Sequence, residues 1–483
     1  MKIPASGMDR DTVFATLNEY RAHDMPWRNG RVFGYVFHLS EEVEAVVKQA
    51  YSMFLSENAL DPTVFPSAAR LENEVVSMAA AHLAGDQEVV GNFTSGGTES
   101  IILAVKTARD RARHLRPDID RPNLVLPVTG HAAFHKAGYY LGVEVRTTPV
   151  DPKTFKADVE AMRAAIDDNT ILLVGSAVSY AHSVVDDITA IAALAAEKDI
   201  LCHVDACMGG FMLPYFRRLG CDIPPFDFSV PGVTSMSMDL HKYGFAAKGA
   251  SVILHRNADI RRFQIYSCAD WTGYTIVNAT VQSSKSVGPM AAAWAVLNFV
   301  GDQGYLDVAR SLLEATNRLI EGVGQIDGLE VLATPEMNLI AFTSDTVNIF
   351  HIIDEMKARN WYIQPQLRYR DAQASIHLSV NPNNVPLVEE FLTDLAASTE
   401  SARSLPESPL VAQLKGALDA MGGDAELPRE RVAQLMAMAG IRDGALPERM
   451  ADINSLMNAL PPKLQETLVV EFINQMFQQP TAS

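Results

Sequence analysis

Cysteine is scarce in this chain: Cys202, Cys207, Cys221 and Cys268 are the four among 483 residues. Their spacing fits no paired metal-ligand pattern, so no metal site is expected. Cys202 and Cys207 flank a strand end and read as reduced core residues rather than a disulfide. Long apolar runs are missing too. The longest, residues 290–300, is too short to span a bilayer and reads as a core helix. Residues 1–20 are polar and mixed in charge, without the apolar centre of a signal peptide. Positive charge is in deficit, with 40 Lys and Arg against 58 Asp and Glu, a net charge of −18. That balance argues against nucleic acid or an anionic membrane as the main partner, yet permits a local pocket for a small anion. Repeats and low-complexity tracts are absent. Together these absences predict a soluble, cytoplasmic protein with no membrane segment.

What is present is an ordinary globular composition, 48% apolar and 20% charged, at a length that suits two or three domains. Between residues 89 and 254, short apolar stretches alternate with amphipathic ones. Strands are expected at 123–127, 144–148, 170–175, 200–205, 233–237 and 250–254. Helices are expected at 99–113, 132–141, 156–166 and 188–197. Such alternation predicts an α/β domain with a mostly parallel sheet covered on both faces, whose ligands sit at the carboxyl ends of the strands. Upstream, helices are expected at 11–21, 41–56 and 68–83, with a bend at Arg28-Asn29-Gly30-Arg31. Downstream come one or two long helices over 290–325, then strands at 329–333, 339–343 and 375–380 with helices at 349–359 and 385–398. These read as a smaller α+β domain. Prolines punctuate helical pieces at 410–421, 429–439 and 463–477, which carry no catalytic signal. The expected division is an N-terminal arm (1–60), a large α/β domain (61–300), a small α+β domain (301–404) and a helical tail (405–483).

Four short stretches carry chemistry. In Asp239-Leu240-His241-Lys242-Tyr243-Gly244 a lysine follows a polar turn between two strands. It is held at the mouth of a sheet, where an amine loses its proton more easily and adds to a carbonyl. Thr94-Ser95-Gly96-Gly97-Thr98-Glu99-Ser100 leads into a helix, and small residues there let backbone N–H groups close on an anion. It is neither a phosphate-binding GK[ST] loop nor a GxGxxG fingerprint. In His203-Val204-Asp205-Ala206 a carboxylate ends an apolar strand and needs a cationic or donor partner. His131 follows the strand ending at Pro127, where an imidazole can lie on an aromatic ring or cap the next helix. Each stretch alone also has a structural reading: a surface lysine, a helix cap, a turn-capping aspartate.

In this order the stretches resemble the fold-type I pyridoxal-phosphate enzymes, in particular the group II decarboxylase family and its sphingosine-1-phosphate lyase-like branch. Further matching segments are Asp61-Pro62-Thr63-Val64-Phe65-Pro66, His182-Ser183-Val184-Val185-Asp186, Lys248-Gly249 and Asp270-Trp271-Thr272-Gly273. The resemblance covers roughly residues 30–400. It implies an aspartate aminotransferase-like large domain, pyridoxal 5'-phosphate as cofactor, and a homodimer with sites at the interface. It makes Lys242 the Schiff-base lysine, Asp205 the partner of the pyridine nitrogen and His131 the residue stacked on the ring. Gly97, Thr98 and His241 become ligands of the cofactor phosphate.

In that branch a Tyr, a His and a Lys hold the substrate's phosphate. Lys248 keeps the third, but Phe37 takes the place of the Tyr and Asp61 that of the His. Charge at Asp61 predicts a substrate with a neutral or cationic group there. The stretch after Trp271 also differs, and Lys285 stands where an Arg usually follows. The expected activity is a carbon–carbon lyase acting on a small amine or amino acid. An amino-acid α-decarboxylase and an aminotransferase are its alternatives within enzymes, and a non-catalytic binding protein on a decayed enzyme fold is the alternative outside them.

Overall fold

The computed structural model describes residues 2–370, 372–406 and 446–477. The chain opens with α1 (Arg10–Arg21), whose first turn is capped by the Asp9 carboxylate accepting from Thr12 N. Ser40 caps α2 (Glu41–Met53) in the same way, through Val43 N. A proline begins α3 (Pro66–His82), at a position where no backbone N–H is needed. No residue of α1 is buried, and Val13, Phe14, Leu17 and Tyr20 stand exposed on it.

The α/β domain then follows: β1 (Val90–Thr94), α4 (Gly97–Leu115), β2 (Asn123–Pro127), α5 (Ala133–Leu141), β3 (Glu144–Thr148) and α6 (Val159–Ala165). It continues with β4 (Thr170–Ser176), α7 (Ile188–Glu197), β5 (Leu201–Asp205), α8 (Leu213–Arg218), β6 (Ser235–Asp239) and β7 (Ser251–His255). These strands make one sheet in the order β1-β7-β6-β5-β4-β2-β3. Strands β2 to β6 pair in parallel, while β7 runs antiparallel to both β6 and β1. Every residue of β2, β4, β5, β6 and β7 is buried, as a sheet covered by helices on both faces requires.

Two differences from expectation matter for the site. Strand β1 is absent from the expected set because Gly91-Asn92 breaks its apolar pattern. Gly91 is there of necessity, since a Cβ at that position would lie 2.3 Å from the Ile253 carbonyl oxygen of β7. The strand expected at 233–237 runs two residues later, as β6, which makes Asp239 its last residue.

After α9 (Ala258–Arg261) a two-stranded hairpin, β8 (Tyr266–Cys268) with β9 (Ile276–Asn278), precedes α10 (Gly288–Gly324). That helix kinks at Gly301, whose φ of 65° is in the left-handed region. The smaller unit contains β10 (Glu330–Val331), β11 (Leu339–Thr343), α11 (Ile349–Ala358), β12 (Gln364–Gln366), β13 (Ser375–Ser379) and α12 (Val388–Arg403). Its sheet is antiparallel, in the order β10-β11-β13-β12. Strand β12 is a further element outside the expected set. One apolar core runs through both units, from Val204 and Met236 to Leu339 and Phe342. Beyond them lie α13 (Ala451–Ala459) and α14 (Pro462–Met476). The Asp354 carboxylate of α11 accepts from Met450 N and Ala451 N, which ties α13 to the smaller unit. The helices expected at 410–421 and 429–439 lie outside the described residues. All four cysteines are free thiols. Among the described residues, no helix is long and apolar enough to cross a membrane.

Candidate active site

A cleft of about 600 Å³ opens where β1, β4, β5 and β6 end, the position that parallel sheets reserve for ligands. Of the residues singled out in the sequence, Gly97, Thr98, His131, Asp205, His241, Lys242, Lys248 and Phe37 line it. Asp61 does not.

One wall is the start of α4. Gly96, at the N-cap, offers no side chain to the first turn, which leaves its N–H groups and the positive end of the helix dipole open to an anion. Gly97 has no room for a side chain. A Cβ there would lie 2.8 Å from both Asp239 Oδ1 and Cys207 Sγ. The loop is braced from behind by Glu99, which accepts from Ser95 N at 2.6 Å and from Val281 N at 2.8 Å. A buried row of hydroxyls, Thr94 to Ser100 at 2.6 Å and Ser100 to Ser251 at 3.0 Å, fastens α4 to β7.

The floor is Asp205, the last residue of β5 and 7% exposed. Its Oδ1 accepts from Cys207 N at 3.1 Å and from Ser237 Oγ at 3.3 Å. Ser237 Oγ also meets His203 Nε2 at 3.2 Å, and His203 Nδ1 meets Ser235 Oγ at 2.9 Å. Burial lowers His203 to about 4, so this ring is neutral and acts as a spacer between the two serines. With Oδ1 engaged, the second oxygen of Asp205 is available to a cationic N–H in the cleft. His131 is exposed on the opposite side. Its Nδ1 accepts from Ala133 N at 3.1 Å, which fixes the ring and leaves Nε2 free.

Lys242 follows β6 by three residues, and its Nζ lies 2.8 Å from Asp239 Oδ2. The expectation that this amine sheds its proton easily is corrected here. Burial works to strip the proton, but the Asp239 carboxylate, with Cys207 and Asp205 adding to it, outweighs burial and holds Lys242 above the ordinary lysine value. Asp239 in turn stays ionised although buried, because Lys242 and His241 stabilise its charge. Its Oδ1 is buried without a hydrogen-bond partner. His241 accepts from Ala250 N through Nδ1 at 3.2 Å, and its Nε2 lies 3.8 Å from Asp239. Sequence reasoning gave Asp239 no role; it became visible only when the end of β6 was placed.

At the outer end, Lys248 Nζ sits 4.8 Å from the centre of the Phe37 ring and donates to the His241 carbonyl at 3.2 Å. Among the described residues it has no carboxylate partner. Desolvation in the cleft, with Lys242 nearby, lowers Lys248 to about 8. Tyr35, Tyr180 and Gln364, missed in the sequence, also face the cleft. Tyr180 donates to Gln364 Oε1 at 2.6 Å and stacks on His377 with centroids 4.4 Å apart. Asp61 instead is exposed and holds its own turn, accepting from Thr63 N at 2.8 Å and Thr63 Oγ1 at 2.6 Å. The charge argument built on Asp61 finds no support within this chain. Lys285 is likewise outside the cleft, buried against Glu72 at 2.8 Å and donating to the Phe93 carbonyl at 3.1 Å.

An anion cradle, a carboxylate floor, a lysine amine and a flanking imidazole suit an aromatic phosphate-bearing aldehyde such as pyridoxal 5'-phosphate. Comparison with known proteins agrees. Residues 25–345 match the pyridoxal-dependent decarboxylase conserved domain, and residues 409–475 match the family described as "Pyridoxal-dependent enzyme, C-terminal putative HTH domain". The sphingosine-1-phosphate lyase of Arabidopsis thaliana is 40% identical over 412 residues, 84% of this chain and 74% of its own. The solved sphingosine-1-phosphate lyase of Burkholderia pseudomallei superposes with a TM-score of 0.80 at 36% identity, covering 88% of this chain and 98% of that one. Glutamate decarboxylase of Lactobacillus brevis shares the fold at 17% identity, with a TM-score of 0.74 over 84% of this chain and 96% of its own. The chain belongs to the pyridoxal-dependent decarboxylase family, on its sphingosine-1-phosphate lyase-like branch, and is a pyridoxal 5'-phosphate-dependent lyase.

Proposed function

We propose that this lyase cleaves a carbon–carbon bond of the amine-bearing carbon in an amino alcohol that carries a phosphate on the carbon at the other side of the amine-bearing one. The observation that carries this reading is Lys248, a cation of the cleft without a carboxylate partner. Lys248 is exposed at the cleft mouth, where an anionic group of the substrate would complement it and restore the proton that desolvation loosens. Two further features support it. Among the described residues no arginine, the usual holder of an α-carboxylate, lines the cleft, which speaks against an α-decarboxylase or an aminotransferase. The relatives named above as sphingosine-1-phosphate lyases act, by their names, on a phosphorylated amino alcohol.

In this reading Lys242 carries the cofactor covalently, Asp205 pairs with its ring nitrogen and His131 lies against the ring. Gly97, Thr98 and His241 hold its phosphate. When bound, the cofactor supplies an electron sink for the pair released at the amine-bearing carbon. The protein's own task is to fix that sink, to orient the bond to be broken through Lys248 and Phe37 at the distal end, and to move protons near the reacting carbon through Lys242. Residues 61–300 then carry the cofactor, 301–404 close the cleft from the other side, and the described helices α13 and α14 pack beyond them. We further read the enzyme as a cytoplasmic homodimer. The exposed apolar side of α1 and the exposed Tyr266, Trp271 and Tyr274 around the β8–β9 hairpin are suited to a second copy.

The test is direct. Purified protein should be yellow, and borohydride should bleach it and fix the cofactor on Lys242. Incubation with a phosphorylated long-chain amino alcohol should release a fatty aldehyde and phosphoethanolamine, with no turnover in Lys242→Ala. Release of carbon dioxide from amino acids, with no aldehyde from the amino alcohol, would overturn the reading.

A further inference from the structure

The carboxylate beside Lys242 has no place in the scheme above. Asp239 is 3% exposed, ends a fully buried strand and lies 2.8 Å from Lys242 Nζ. Its other oxygen has no hydrogen-bond partner. The start of α4 closes over it so tightly that a methyl group at Gly97 would touch both carboxylate oxygens, at 2.8 and 2.9 Å. A buried carboxylate costs several kcal/mol unless a cation compensates it, and here that cation is the amine that must also bond the cofactor.

We propose that Asp239 is a positioning residue that parks Lys242: whenever the amine is not covalently engaged, Asp239 holds it as an ammonium in a fixed position. The inference rests on the reading that Lys242 carries the cofactor. Were a substrate ammonium to displace Lys242 from the cofactor's carbon, one C=N bond would form as the other broke, and the two protons given up by the substrate nitrogen would end on the freed Lys242 Nζ, opposite Asp239. No oxidant or reductant enters. A parked ammonium is a poor nucleophile, so Asp239 also slows the first capture of the cofactor by the apoprotein and delays return of the lysine while substrate is bound.

The charged and titratable groups around this pair come from several elements. Asp205 and Cys207 approach from the end of β5, His241 and Lys248 from the loop before β7, and Tyr180 from the loop after β4. Among them Asp239 is the group that Lys242 touches.

The test uses apoprotein mixed with pyridoxal 5'-phosphate, with the visible absorbance of the covalent adduct followed from mildly acidic to mildly alkaline pH. A neighbouring opposite charge shifts a titrating group by about 1–3 pH units. Asp239→Asn should therefore bond the cofactor at least about tenfold faster near neutrality, and its rate should level off at lower pH. Asp239→Glu, which keeps the charge, should retain the parent's pH profile whatever its absolute rate. Asp239→Ser, smaller and also neutral, gives the same reading if the Asn variant folds poorly. Pyridoxine 5'-phosphate, which carries the phosphate but cannot bond the amine, serves as control. Its affinity should change far less than the bonding rate. Equal rates in parent and variants, or a gain matched by the control, would overturn the proposal. If the parent fixes no cofactor on Lys242, both this inference and the reading beneath it fall together.

Discussion

Lys248 offers the sharpest test of the substrate reading, because its charge changes within a workable pH range. Its amine is lowered to about 8 by desolvation first and by the nearby Lys242 second. A phosphate monoester is largely dianionic above about pH 6, so from neutrality upward the titration of Lys248 decides the match. The sign follows from the free enzyme. Below 8 the cation is present and KM for an anionic substrate should be flat. Above 8 the proton must be added back before the substrate is held, and KM should rise about tenfold per pH unit. A hydrogen bond to a charged group is worth about 1.5–3 kcal/mol, or roughly 10- to 150-fold in kcat/KM. Lys248→Gln should lose that much at pH 7 and should lose the rise in KM as well. Lys248→Arg keeps its charge to higher pH, and its KM should stay flat through the range. Steady-state kinetics with a phosphorylated amino alcohol and with its unphosphorylated parent separate the cases. If Lys248→Gln changes neither KM nor its pH profile, the cation does not hold the substrate, and the reasoning fails.

Three other outcomes are expected. Gly97→Ala places a methyl 2.8 Å from a buried carboxylate and a buried thiol, an overpacking that costs about 1–3 kcal/mol. Cofactor affinity, measured by titration, should fall about tenfold or more. Lys285→Ala leaves Glu72 without its cation in a mostly buried site and should cost about 3 kcal/mol, seen as a lower urea midpoint at unchanged slope. His182, stacked 3.9 Å from Phe155, and the buried His203 and His255 are all lowered to about 4 by burial. Each titrates below its value in the unfolded chain, so stability is full above about pH 6.5 and lost on acidification towards 4, by about 1.4 kcal/mol per pH unit for each ring. Denaturation from pH 7 to 4.5 checks this, and His255→Gln should lessen the slope.

The sheet was legible because its strands are fully buried: β2 and β4 carry the apolar runs 124–126 and 171–174, and a parallel sheet needs such runs. Strand β1 was not, since the close approach of β7 demands a glycine where a strand pattern needs an apolar residue. The anion loop, Lys242 and Asp205 stood out as residue types at strand ends. What the amine's neighbours would do to it did not, because its proton depends on Asp239, and a shift of two residues in β6 decides whether that carboxylate ends a strand or sits in a loop. Asp61 is a separate case: its position in the motif suggested a ligand contact, and within one copy of the chain its side chain closes a local turn with Thr63.

The placement of β7 between β1 and β6 bears on how the protein is made. Ser100 and Ser251 share a hydrogen bond across 151 residues, and β1 has β7 as its one neighbour in the sheet. A ribosome adding about 5–20 residues per second needs on the order of ten seconds to cover that interval. Until then the hydroxyl row that fastens α4 to β7 is incomplete and the lysine loop has not left the exit tunnel. Capture of the cofactor is thus a late event in synthesis, and a chain cut short before β7 would own both Gly97 and Asp205 and still come off the ribosome colourless.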